Sequence, residues 1–203
     1  MGEKKQFRGM IDLLTKPAFQ KRALPLSVAA WHGLITKNLV PKRSELIRGM
    51  IVEKTPKSIL HVKLVGRLLQ LLQTWVGSTH WVRKEDPLTL TDSEPESDVS
   101  GHETDYVAHP ATALLTVEVS VSTLEEDREM ALIYAEAGVA EFWIVNVRQQ
   151  AIEVYREPTP AGYIKVESIP LEGTVVCESL PGVRVAVREL FEGLVPGEQA
   201  ERV

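Results

Sequence analysis

A mixed α/β (α+β) fold, with a central mixed β-sheet flanked by helices, is the class this sequence predicts. Three observations carry the prediction. Residues 59–76 show an apolar stripe at helical spacing, Val65, Leu68, Leu69, Leu72 and Val76. Residues 112–121 and 140–147 read as two buried strands, with a helix at 123–138 between them. Short strands separated by turn residues follow to the C-terminal region.

The elements follow in order. Residues 1–43 form a partly helical lead-in broken by Pro17, Pro25 and Pro41. Glu45 to Glu53 reads as a strand or hairpin interrupted at Gly49. Thr55-Pro56-Lys57-Ser58 is a turn, and Ser58 is placed to cap the helix after it. Trp81 to Leu90 reads as a strand ending in the acidic turn before Asp98. Ser122 or Thr123 caps the 123–138 helix. Glu125, Glu126 and Asp127 lie in its first turn, where the dipole favours them, and Gly138 closes it. Arg148-Gln149-Gln150 turns the chain into a strand at 151–157. Further strands lie around 163–168, 174–178 and 183–187, before a short helix at 188–193. The expected organisation is an extension over 1–43, a domain over 44–195 and a tail over 196–203.

The chain has 203 residues, 44% hydrophobic and 25% charged, which suits one globular domain. The single Cys177 excludes an internal disulfide and a cysteine-built zinc site, and it fits a reducing, cytoplasmic compartment. No apolar run approaches membrane-spanning length. The net charge of −5 conceals an asymmetry: residues 1–84 carry +12 and residues 85–203 carry −17. Either the basic half forms a cationic wall for a polyanion, or the two halves neutralise each other on folding.

Glu118 interrupts the strand Leu115-Thr116-Val117-Glu118-Val119-Ser120-Val121. Strand alternation puts Leu115, Val117, Val119 and Val121 on one face and Thr116, Glu118 and Ser120 on the other. On a one-sided antiparallel sheet Glu118 would face solvent. In a core it needs a partner, and Asp98 from a neighbouring strand would give two carboxylates for a hard divalent cation. The five histidines form no HxH or HExxH pattern, and no phosphate loop, GxGxxG or GxSxG motif is present. Nucleotide binding and serine or cysteine hydrolysis therefore have little support.

Several segments carry a resemblance. Glu45-Leu-Ile-Arg-Gly, Trp81-Val-Arg-Lys-Glu-Asp-Pro-Leu-Thr-Leu, Ser93-Glu-Pro-Glu-Ser-Asp98 and Val117-Glu-Val-Ser come first. Ser122-Thr-Leu-Glu-Glu-Asp-Arg-Glu, Tyr134-Ala-Glu-Ala-Gly-Val-Ala-Glu-Phe-Trp-Ile-Val, Ile152-Glu-Val-Tyr-Arg and Leu180-Pro-Gly-Val with Glu189-Leu-Phe follow. In that order, over residues 30–193, they resemble the bacterial Uma-type, restriction-endonuclease-like family of the PD-(D/E)XK nuclease superfamily. The resemblance implies a restriction-endonuclease-like fold and a phosphodiesterase acting on DNA with Mg²⁺ (or Mn²⁺). It places the metal-binding and catalytic carboxylates on Asp98 and Glu118, and matches Glu45 and His61 to further catalytic positions. A homodimer suits cleavage of both strands of a two-fold duplex.

Two departures matter. The superfamily's lysine two residues after the glutamate is Ser120 here, and the alternative lysine on the following helix is Met130. Met130 cannot stabilise charge, and Arg128 lies about 200° around the helix from it. Lys63, Arg67 and Lys84 are the candidate replacements. A short strand after Asp98 (Val99-Ser100-Gly101-His102) would let Asp98 shift relative to Glu118. A weakened nuclease is therefore expected. The alternatives are a catalytically degenerate DNA-binding or protein-interaction module, and a hydrolase of another phosphorylated substrate.

Overall fold

A six-stranded sheet is the centre of the computed structural model, which describes residues 15–76, 78, 80–103 and 108–194. The first part of the lead-in and the 196–203 tail expected from sequence lie outside the described residues. Among the described residues two helices come first, α1 (Pro17–Gln20) and α2 (Val28–Thr36), with the Ser27 hydroxyl capping α2 by accepting from Ala30 N at 3.2 Å. Strands β1 (Ser44–Ile47) and β2 (Met50–Glu53) form a hairpin, and Arg48 (φ 52°) and Gly49 (φ 72°) make its two-residue turn. Helix α3 (Ile59–Val76) follows, capped as expected by Ser58, whose Oγ accepts from His61 N at 3.2 Å.

The large sheet comprises β3 (Trp81–Lys84), β4 (Val99–His102), β5 (Leu115–Ser120), β6 (Glu141–Asn146), β7 (Ala151–Thr159) and β8 (Gly162–Ile169), in that spatial order. Only the β5–β6 pairing is parallel. The crossover it requires is helix α4 (Leu124–Glu136). Gly138, with φ +70°, ends this helix as expected. A small ladder of β9 (Thr174–Val176) and β10 (Arg184–Ala186) leads to helix α5 (Val187–Phe191).

Helices cover both faces of the sheet. On one face, Leu64, Val65, Leu68 and Leu72 of α3 pack with Leu115, Val117, Val119, Trp143 and Val145. On the other, Ala131, Ile133 and Tyr134 of α4 pack with Phe142 and Ile144. Consecutive residues of β6 thus serve opposite layers, which explains its unbroken apolar run.

Two expectations need correction. The strand expected over Trp81–Leu90 ends at Lys84, where Glu85 takes φ 55° and breaks the extended run. The solvent-facing alternative for Glu118 fails because β5 is an interior strand and α4 covers the Glu118 face. The opposite halves of the charge distribution meet in part. Arg48 pairs with Asp92 and Glu136, Lys54 with Glu96, and Lys57 with Glu85 and Asp98.

Candidate active site

Strand register brings Asp98 and Glu118 together. Val99 pairs with Val117, Ser100 with Thr116 and Gly101 with Leu115 in the antiparallel β4–β5 ladder. One step further along, Asp98 lies opposite Glu118, and opposed residues of an antiparallel pair share a face. The short β4 therefore does not shift Asp98 away. Asp98 N donates to Glu118 Oε2 at 3.3 Å, and Val119 N donates to Asp98 Oδ2 at 2.9 Å. The two carboxylates are tied through each other's backbone.

Two groups, one in the turn before α3 and one in its first turn, hold Asp98. His61 Nε2 lies 2.8 Å from Asp98 Oδ2, and Lys57 Nζ donates to Asp98 Oδ1 at 3.2 Å. Burial alone would raise the Asp98 pKa. The His61 hydrogen bond and charge, the Val119 N–H and Lys57 outweigh it and hold the carboxyl below its ordinary value. Glu118 goes the other way. Its burial, reinforced by the negative charges of Asp98 and Asp127, pushes it well above the ordinary carboxylate range. Tyr134 on α4 donates its hydroxyl to Glu118 Oε1 at 2.8 Å and partly offsets this.

Glu45 on β1 faces the same cleft. Its Oε2 accepts from Glu96 N at 3.3 Å, and burial raises its pKa. Asp127, in the first turn of α4, accepts from Thr123 Oγ1 at 2.7 Å, and burial lifts it to about 6. The cleft encloses about 370 Å³ and is lined by all four predicted residues, Asp98, Glu118, Glu45 and His61, together with Lys57 and Asp127.

Sequence reasoning missed Lys57, Asp127 and Tyr134 as members of this cluster. Lys57 read only as part of a turn, and Asp127 only as a helix-dipole acid. The candidate replacement cations lie elsewhere. Arg67 donates to the carbonyls of Leu190 and Glu192 at 2.8 and 2.7 Å, closing the end of α5, and Lys84 pairs with Glu85. Lys63 is exposed on α3 and does not line the cleft. Arg128 turns to Glu153 and Glu125. Met130 packs against the core layer beneath α4. Cys177 is buried with its thiol pushed up to about 12, unsuited to nucleophilic work at neutral pH.

The site's donors are oxygens, the hard ligands that Mg²⁺ and Mn²⁺ prefer. Among the described residues no three or more His, Cys, Asp or Glu side chains group as a metal cage. A pair of carboxylates nonetheless suits Mg²⁺, which keeps several waters and takes one or two carboxylates beside substrate phosphate. The negative charges of Asp98 and Asp127 near half-buried Glu118 give a cation something to neutralise.

A mixed sheet with a parallel crossover and an acidic cleft at its centre is the architecture of a nuclease-like fold. One solved structure superposes on it with a TM-score of 0.68 at 17% identity, covering 82% of this chain and 98% of the other. It is described as "Crystal structure of a putative nuclease belonging to DUF820 from Anabaena variabilis ATCC 29413". The family model "Uma2: Putative restriction endonuclease" matches residues 38–188, and the chain belongs to that family. No curated protein matches the chain. Among the described residues no helix is long and apolar enough to cross a membrane.

Proposed function

We propose that this protein is a divalent-cation-dependent endonuclease that hydrolyses phosphodiester bonds in DNA, with Asp98 and Glu118 holding the cation. The observation that carries this reading is the convergence of those two carboxylates across the β4–β5 ladder, in a cleft shared with Glu45, His61 and Lys57. Membership of a restriction-endonuclease family supports it.

Mg²⁺ or Mn²⁺, when bound, supplies Lewis-acid polarisation of the scissile phosphate. The chain's own residues do the rest. His61 and the Val119 N–H fix the orientation of Asp98, and Tyr134 fixes that of Glu118. Lys57 supplies the fixed positive charge that Met130 cannot, and neutralises charge developing on the phosphate oxygens. Glu45 and Asp127 have raised pKa values and suit proton exchange with water in the cleft.

Two observations favour a second reading, a catalytically degenerate DNA-binding module. Met130 packs against the core layer, and both Asp98 oxygens already have partners. Plasmid nicking with Mg²⁺ and with Mn²⁺ separates the two. Cleavage by the parent and its loss in Glu118→Gln are expected. No cleavage by the parent or Met130→Lys with either ion, together with retained DNA binding, would establish the degenerate module instead.

A further inference from the structure

We propose that the basic arm from Lys16 to Arg43 is a clamp for the phosphodiester backbone of duplex DNA. This inference rests on the reading of the substrate as DNA, and it concerns residues that mostly precede the family-matched region, which begins at residue 38.

Residues 15–44 contain no Asp or Glu. They carry six cations: Lys16, Lys21, Arg22, Lys37, Lys42 and Arg43. All six are exposed, and none forms an ion pair among the described residues. The contrast with the basic residues that follow is sharp. Arg48, Lys54, Lys57, Arg83 and Lys84 all sit in ion pairs with acidic partners. Lys63, exposed on α3, and Arg67, bonded to carbonyls at the end of α5, are the exceptions. The arm thus holds most of the exposed, unpaired positive charge among the described residues up to Lys84.

The arm is anchored beside the cleft. Trp31 is 3% exposed. Leu26 N donates to Gly49 O at 3.0 Å, and the His32 ring meets the Glu94 carboxylate. At its end Arg43 O accepts from Lys54 N at 2.8 Å, and the chain passes directly into β1, the strand that carries Glu45 to the cleft. A firmly seated cationic segment beside an acidic centre answers a physical problem. DNA is repelled by a cleft built of carboxylates, and by the −17 of residues 85–203, unless positive charge nearby offsets that field. Exposed Lys and Arg contacting phosphates, without bases, suit sequence-independent grip.

The test measures DNA binding by anisotropy on a short duplex in EDTA, from about 50 to 200 mM salt. Chelation makes the readout independent of cleavage. Replacing all six cations by Gln should lower the slope of log K against log salt by about 2 or more, against a ceiling near 5 if every one met a phosphate. A smaller fall, or no binding by the parent, overturns the clamp. Two milder variants keep the test decisive if the sixfold one misfolds. Lys42→Gln/Arg43→Gln should lower the slope by at least about 1, and Lys63→Gln/Arg184→Gln, two exposed cations elsewhere, by less. Equal effects of the two pairs overturn the clamp. Binding to phosphatidylserine vesicles in place of DNA also overturns it. A parent that grips DNA through the arm yet never cleaves sinks the nuclease reading and leaves the clamp standing.

Discussion

Lys57 shows how much one residue's surroundings decide. It occupies a loop, yet its ammonium lies 3.2 Å from Asp98 and 3.0 Å from Glu85. Those two carboxylates outweigh burial and hold its pKa above the ordinary lysine value, so it stays charged at neutral pH. Replacing it with Met should slow cleavage by roughly 100–1,000-fold, the scale of losing one preorganised electrostatic donor. Lys57→Arg should recover part of the rate, and steady-state nicking kinetics measure both. Asp127 makes a pH prediction. Its folded value of about 6 lies above the ordinary 3.8, so folding favours its protonated form. The stability it contributes is full below about 3.8 and is lost as pH rises through about 6. Cation-free Asp127→Asn should therefore lose less stability between pH 4 and 7 than the parent, and end on the order of 2 kcal/mol more stable at pH 8. Urea melts at pH 4, 7 and 8 check it; parallel curves for parent and variant would refute it.

At the scale of elements, α3 has two jobs. Its apolar stripe packs on the sheet, while its first turn presents His61 to Asp98. Leu68, fully buried at the centre of the stripe, should cost about 3 kcal/mol when cut to Ala, read as a fall in the urea midpoint. That stripe was plain in the sequence because helical spacing is a local signal. The α4 crossover was equally plain, from its first-turn acids and from Gly138. The Trp81–Leu90 strand was misread because the positive φ at Glu85 has no composition signal. The site was half legible. Asp98 and Glu118 stood out, one in an acidic turn and one in an apolar run, and their meeting follows from the ladder register. Lys57 and Tyr134 gave no sign, because their contacts cross between elements and leave no periodic trace.

The whole molecule gathers carboxyl groups at one place. Glu118, Asp98, Asp127 and Glu45 share a cleft with Lys54, Lys57 and Arg148, and their crowding helps to raise Glu118 above its ordinary value. A cation that binds the folded state alone should raise the melting temperature of the protein above pH 6, equivalent to about 2.7 kcal/mol at a hundredfold excess over Kd. Glu118→Gln should remove the effect. Thermal melts with and without Mn²⁺ measure it, and equal melting temperatures for the parent would count against cation binding. Five cations of the basic half, Arg48, Lys54, Lys57, Arg83 and Lys84, are paired within the fold, while the six of the arm stay exposed.

The turn at Gly49 has a consequence for how such a protein can diversify. A β-carbon there would lie 2.4 Å from the Pro25 side chain, so the arm sits flush on a hairpin that has no side chain at that point. A single methyl group at that hinge would push the leading segment off the hairpin and strain the left-handed turn itself. Because the same hairpin carries Glu45 to the cleft, the seat of the arm and the cleft wall are coupled through one small residue.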